Sequence, residues 1–329
     1  MELSSLDDAV RRYCDRGIAE STTRTYKSGL NRYLSFCNRF GLSAPFPVSE
    51  IILCYFVTSL AQEGIAPATI KIYLAAVRHA QVVRGLPEPR ESSTLPRLRL
   101  IQRGIRRDRA RAGLVSTQRL PITPPILRRL RTVLRQRDPS YDGLLVWAAA
   151  TVCFFGFFRS GEITVSSLSA YDPSVSLSWG DVAVTADQQV MRVFLRRSKT
   201  DQYGRGTEVF LGATGDEICP VEAVRTNVAR RGTSPGAFFQ LQSGAPLTKA
   251  KFVESVRSAL TRAGIPQTGY SGHSFRIGAA TVAAQAGLPD STIQALGRWS
   301  SPAFLRYIRT PREELARYSN SLARTGGEE

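Results

Sequence analysis

The chain has little of what builds a metal, redox or disulfide protein. Its 329 residues hold five cysteines and two histidines. The cysteines (Cys14, Cys37, Cys54, Cys153 and Cys219) are odd in number and scattered, with no Cys-x-x-Cys pair. They predict neither a zinc site nor a disulfide framework, and they point to a reducing, intracellular setting. There is no Walker loop and no carboxylate cluster suited to two metal ions. No metal, ATP or small-molecule cofactor is therefore expected. The longest apolar run, Leu144–Phe158, is too short to span a membrane and ends in Arg-Ser-Gly-Glu. It predicts a buried helix, and no membrane partner is expected. Met1–Val10 is acidic and lacks an apolar core, so it does not read as a secretory signal.

Acidic residues and lysine are also scarce. Against 44 basic residues stand 27 acidic ones, a formal charge of +17. A chain this basic is suited to a polyanion, and double-stranded DNA is the leading partner. The plain alternative is a solvated basic surface. Only Lys27, Lys71, Lys199, Lys249 and Lys251 are lysines. Arginine favours bidentate phosphate contacts, although genomic base composition produces the same bias. The scarcity makes Lys199 less of a random surface choice.

The length predicts two domains with their own cores. The first hundred residues read as helices. After Ser21-Thr22-Thr23, the residues Tyr26, Leu30, Tyr33, Cys37 and Phe40 follow at helical spacing, with Gly41 as the stop. Val48–Gln62 and Thr69–Val83 read as two further helices. Their polar faces are basic, which makes Arg24, Lys27, Lys71 and Arg78 candidates for DNA contact. Residues 90–111 hold eight arginines, opposed by Glu91 and Asp108. Leu98, Leu100, Ile101 and Ile105 suggest a short amphipathic helix there, with Arg103, Arg106 and Arg107 as phosphate contacts. Residues 1–111 form the first predicted domain, 112–123 a linker and 124–329 the second domain.

In the second domain, 126–135 reads as an amphipathic helix and 142–158 as the buried one. Runs at 179–185, 190–197 and 208–211 predict a small antiparallel sheet. Helices return at 220–230, 248–263, 274–286, 291–296, 302–307 and 311–323. The predicted class is mainly α, with a helical bundle followed by an α+β domain.

Chemistry concentrates in that domain. Transesterification of a phosphodiester needs a nucleophile, an acid for the leaving oxygen and positive charge on the non-bridging oxygens. Arg159 closes the apolar run, and a buried guanidinium needs an anion; Glu162, three residues on, is its candidate partner. Lys199 follows a strand, where a hairpin can lower it into a groove as a general acid. His273 and Arg276 share one side of a helix turn. Arg276 and Arg159 suit the non-bridging oxygens, and His273 suits acid, base or donor work. Tyr307, between arginines, is the candidate nucleophile, ahead of Tyr270 and Tyr318.

These residues resemble the tyrosine recombinase (phage integrase) family, whose pattern is Arg, Lys, His-x-x-Arg, His or Trp, then Tyr. The match covers nearly the whole chain. It rests on Arg159-x-x-Glu162, Lys199, His273-Ser274-Phe275-Arg276, Leu296-Gly297-Arg298-Trp299 and Tyr307. The stretch 297–309 looks most like recombinases of DIRS-type and Crypton-like eukaryotic mobile elements. The resemblance implies a helical core-binding domain at 1–111 and a catalytic domain at 124–329. It implies that Tyr307 attacks a scissile phosphate to form a 3′-phosphotyrosine, that Lys199 protonates the departing 5′ oxygen, and that a hydroxyl reverses the step. It also implies a homo-tetramer on DNA, with 311–323 docking on a neighbour or on its own domain. In the family the His or Trp directly follows the Gly ten residues before the nucleophile. Here Arg298 follows Gly297 and Trp299 comes one later, so either fills that role, with Trp299 favoured for its indole N–H donor. The expected function is site-specific recombination for mobile-element integration or excision. The alternatives are a catalytically silent DNA-binding protein of the same fold, a type IB topoisomerase-like enzyme and, more distantly, a metal-dependent nuclease. The expected location is nuclear in a eukaryote and cytoplasmic otherwise.

Overall fold

The structure is a computed structural model that describes residues 3–87, 95–114, 118–135, 140–198, 201 and 204–309. The chain divides into two compact units, Met1–Ser116 and Thr117–Glu329.

The first unit is helical: α1 (Leu3–Arg16), α2 (Glu20–Arg39), α3 (Glu50–Gln62), α4 (Pro67–Val83) and α5 (Pro96–Arg111). Helix α2 packs on α4, and α3 packs on α5. Their inward residues repeat at helical spacing, and Tyr33, Phe36, Phe56, Val57, Ile70, Val77 and Leu98 form one core. Each large apolar side chain buried there stabilises the unit by roughly 2 kcal/mol. Tyr33 and Phe56 meet edge to face at 5.3 Å. The buried Gln81 side chain accepts from Val48 N–H at 2.8 Å and donates to Pro87 O at 2.5 Å, which joins the ends of α3 and α4. Helix α5 is longer than its apolar spacing predicts. Leu98 is buried but Leu100 is 64 % exposed, because its position turns outward with the arginine face.

The second unit is built around α7 (Tyr141–Phe155). Residues 144–154 of α7 are buried on every side, as expected of a helix apolar all round. Ser140 caps it by accepting Gly143 N–H at 3.0 Å. Helix α6 (Pro124–Leu134) packs against α7, and the short α8 (Ser160–Ile163) follows it. Strands β1 (Val182–Val184), β2 (Val190–Leu195) and β3 (Thr207–Gly212) make an antiparallel sheet in the order β1-β2-β3. Met191, Val193 and Leu195 of β2 face the core, while Arg192 faces outward to Glu208 at 2.8 Å. The first predicted strand is shorter than expected, because Trp179–Asp181 is a 3-10 turn. Helices α9 (Pro220–Arg231), α10 (Lys249–Arg262), α11 (Ser274–Gln285) and α12 (Asp290–Leu296) complete the unit. The predicted helix at 302–307 is instead a 3-10 turn over Pro302–Arg306.

Part of the stretch read as a linker belongs to this unit. Ile122 is fully buried, its N–H donates to Ser274 O at 2.9 Å, and Leu120 N–H donates to Gly269 O at 3.0 Å. Residues 118–122 therefore form a strap across the start of α11.

Candidate active site

The site forms where α7 ends. The last carbonyls of a helix have no intrahelical partner, and the helix dipole makes that end attractive to cations. The N–H groups of Gly156, Phe157 and Phe158 donate to the last α7 carbonyls, and two arginines distant in sequence donate to the two carbonyls just beyond the helix. Arg276 Nη1 donates to Phe157 O at 2.6 Å, and Arg298 Nη1 donates to Gly156 O at 3.0 Å. Phe157 itself sits at φ 50°, which turns the chain toward Arg159.

Arg276 lies in the first turn of α11 and is fully buried. Its Nη2 donates to Gly297 O. Its guanidinium carbon stands 4.0 Å from the Trp299 ring centre and 5.8 Å from that of Tyr307. The Trp299 and Tyr307 rings are 5.3 Å apart. Trp299 thus bridges the buried cation and the candidate nucleophile. Gly297 makes this possible, because a Cβ there would overlap the Trp299 ring. Trp299 Nε1 is buried with no acceptor among the described residues.

Arg298 has a different task. It sits at φ 55°, and its Nη2 reaches Glu162 Oε2 at 3.2 Å. With Gly156 O also occupied, its guanidinium faces inward and ties the 297–299 turn to α8. Glu162 is the anion that Arg159 requires. It accepts from Arg159 N–H at 2.8 Å and from Arg159 Nη1 at 2.7 Å. One buried carboxylate therefore orients both Arg159 and Arg298, with side-chain exposures of 17 % and 12 %.

His273 immediately precedes α11. Gly272 beside it packs on Ser160, where a Cβ would overlap the hydroxyl, so the loop before α11 is held against α8. His273 Nδ1 is buried without a partner among the described residues.

The electrostatics follow from crowding like charges. Burial, with Arg159 and Arg298 nearby and Glu162 opposing, pushes Arg276 down to about 9. It remains a cation at neutral pH, in a place that favours an added anion. Burial, then Arg119, Lys249, Arg159 and Arg276, pushes His273 down to about 4. The imidazole is neutral at neutral pH and able to accept a proton. Burial lowers Arg298 as well, offset by Glu162.

The structure thus gathers Arg159, Glu162, His273, Arg276, Arg298, Trp299 and Tyr307. Lys199 and the 311–323 segment lie outside the described residues. Near Lys199, Asp201 accepts Arg205 N–H at 3.1 Å and Gly206 N–H at 2.8 Å, which shapes the connection between β2 and β3. Arg24, Lys27, Lys71, Arg78, Arg103, Arg106 and Arg107 belong to the first unit and are exposed. Sequence reasoning missed Arg119, inside the stretch taken for a linker, and Lys249, at the start of a helix. The scarcity of lysine that singled out Lys199 points equally to Lys249.

Residues 173–311 match the phage integrase family. The chain is 24 % identical over 312 residues to the integrase/recombinase xerD homolog of Selenomonas ruminantium, covering 91 % of this chain and 84 % of that protein. Among solved structures, the XerH site-specific recombinase bound to palindromic difH substrate in a post-cleavage complex aligns with a TM-score of 0.64. The identity is 14 %, covering 96 % of this chain and 85 % of that one. The Tn1549 transposon integrase in complex with transposon right end DNA aligns with a TM-score of 0.58 at 14 % identity, over 96 % of this chain and 98 % of that one. A lambda integrase dimer bound to a COC′ core site gives 0.57 at 16 % identity, over 94 % and 95 %. At these identities the structural matches speak for the fold alone. Arg159 and Glu162 lie upstream of the matched segment, whereas His273, Arg276, Trp299 and Tyr307 lie inside it. The family match falls within the second unit, and the likeness to these recombinases and integrases extends over nearly the whole chain.

Proposed function

We propose that this chain is a site-specific DNA recombinase that cleaves and rejoins strands through a 3′-phosphotyrosine, for integration or excision of a mobile element. The observation that carries it is the position of Arg276. Its buried guanidinium lies under the Trp299 and Tyr307 rings, within electrostatic reach of Arg159. A phosphate entering there meets cations fixed in advance, which is the largest single contribution available to such a step.

In the reaction, Tyr307 Oη bonds to phosphorus as the bond to the 5′ oxygen breaks. The phenol proton passes to a base, and His273, neutral at neutral pH, is the proposed one. Lys199 is the proposed acid for the departing oxygen. Arg159, which spends Nη1 on Glu162, offers its remaining N–H groups to a non-bridging oxygen. Trp299 Nε1 is the donor at the position the family fills with His or Trp, and Arg298 holds its turn in place. The proposed partner is double-stranded DNA, bound by a homo-tetramer, with the exposed basic residues of the first unit on its backbone.

Covalent trapping tests this. The protein and Tyr307→Phe are incubated with supercoiled plasmid and nicked suicide duplexes, with EDTA present, and quenched in SDS. A protein–DNA adduct that needs Tyr307 but no metal is expected. Tyr307→Phe should bind DNA nearly as well, because one hydroxyl adds little to a large electrostatic interface. Tight DNA binding with no adduct, on a pool of random-sequence duplexes as well, would instead favour a DNA-binding protein that has lost turnover.

A further inference from the structure

Two cations at the site have no role in the mechanism above. Lys249 opens α10, and its N–H donates to Val165 O at 2.8 Å, which pins that turn beside α8. Its side chain lies over Gly161, with Cδ 3.9 Å from where a Cβ would stand. Gly161 is two residues from Arg159, and Ser160 packs on Gly272, the neighbour of His273. Lys249, Arg159 and His273 therefore share one patch of backbone. Arg119 is presented by the 118–122 strap, held by Leu120 and Ile122 to the residues on either side of His273. Both side chains are exposed, and neither has an acceptor among the described residues. Lys249 also lines an open groove of about 930 Å³.

Arg276 feels Arg159, Glu162, Arg298 and Tyr307. His273 feels Arg119 and Lys249 more strongly than Arg159 and Arg276. Tyr307 and Arg276 meet at the Trp299 ring, whereas Lys249 lies over Gly161 and Arg119 is carried by the strap beside His273. One phosphate held under Tyr307 leaves Lys249 and Arg119 unneutralised. A DNA strand supplies the next phosphate after about 3.4 Å of helical rise.

We propose that Lys249 and Arg119, on either side of the loop that carries His273, form a second phosphate subsite that binds the phosphodiester next to the scissile one on the same strand. This rests on the recombinase reading for the identity of the strand, but not for the geometry of the subsite. Its function is to fix the register of the backbone, so that the scissile phosphate lies under Tyr307 and its neighbours do not.

The test uses the full chain with isotope-labelled histidine, whose two histidines give two sets of signals. Lys249→Met and Arg119→Met are compared with Lys251→Met, a control on the same helix turn whose ammonium faces Glu254 at 3.7 Å. The His273 titration should move upward in the first two variants and stay in place in the control. Binding to a short blunt duplex of arbitrary sequence is then followed against salt. Each of the two variants should lower the log–log slope by about 0.9, and the double variant by about twice that. A His273 titration no different from the control, or a wild-type salt slope, would overturn the subsite. If the shifts occur but wild-type protein never forms the Tyr307 adduct, the subsite stands as a backbone contact and the recombinase reading falls. If the adduct forms and slope and titration are unchanged, the subsite alone falls.

Discussion

Helix α5 and the end of α7 use the same side chain in opposite ways. On α5, Arg103, Arg106 and Arg107 are exposed, and even the Arg111–Asp108 pair is 3.9 Å apart with both side chains about four-fifths exposed. At the end of α7, Arg276 is buried, Arg298 is largely covered, and the hydrogen-bond partners of both are fixed. Charge in water acts through its sum and is screened by salt. Charge held under rings and on turn carbonyls acts through its position. The first arrangement suits attraction to any DNA backbone, the second suits one phosphate in one pose.

The sharpest way to break this contrast is Arg276→Ala. It leaves Phe157 O and Gly297 O without their donor and empties the space under Trp299. Two buried carbonyls so exposed cost about 4 kcal/mol together. A large fall in thermal midpoint and complete loss of the covalent adduct are expected. Arg276→Lys separates the two effects: it should recover much of the stability but not the chemistry, since an ammonium cannot serve both carbonyls and a phosphate at once. An Arg276→Ala protein that cleaves at the wild-type rate would sink the assignment.

Glu162→Gln comes next. The carboxylate orients Arg159 and Arg298 together, so a neutral amide leaves two guanidiniums facing each other without an anion. Removing one partner of a buried pair costs about 3 kcal/mol. Denaturant unfolding should show that loss, and the adduct should form slowly, because Arg159 is no longer aimed.

His273 gives a smaller effect, seen through pH. It holds its proton at about 4 in the folded chain against 6.5 for the free side chain. Between those values the unfolded chain binds more protons, so stability is full above about 6.5 and falls as pH drops toward 4. The imidazole is only partly buried, and solvent screening reduces the size of the effect. His273→Asn should flatten the dependence of the urea midpoint on pH across that window. An unchanged slope would mean that the cations around His273 do not act on it. Bound DNA should raise the His273 titration, because it brings anions to the same cations.

Much of this site was legible in the sequence, for reasons that particular residues make plain. Arg159 stood out because it closes an apolar run, and a charge entering a core demands an anion; Glu162 was the nearest one available. His273 and Arg276 stood out by spacing and by the rarity of histidine. The helices of the first unit followed from periodicity, since Tyr33, Ile70 and Val77 are buried as their spacing requires. What escaped depends on contacts made across the chain. Nothing local marks Ile122 as a core residue, because its burial comes from lying against α11. Arg298 and Trp299 could not be separated by sequence order. Their division of labour depends on a positive φ at Arg298 that sends one side chain to Glu162 and the other over Arg276. Lys249 was hidden because a lysine starting a helix is ordinary until Gly161 is placed beneath it.

The smallest expected effect tests the other half of the contrast. Arg103→Ala and Arg107→Ala remove exposed guanidiniums from α5, with no buried acceptor left behind. Stability should stay within about 0.5 kcal/mol of wild type. If α5 lies along DNA, each substitution should lower the salt slope of binding by about 0.9 and weaken all sequences alike, since a phosphate contact carries no base information. The yield of adduct at saturating protein should not change, because neither residue is near Tyr307 in the chain or shares its unit. A loss of adduct at saturation would mean that α5 helps to position the scissile phosphate. The exposed and buried arginines would then belong to a single device, and the division drawn between them would fail.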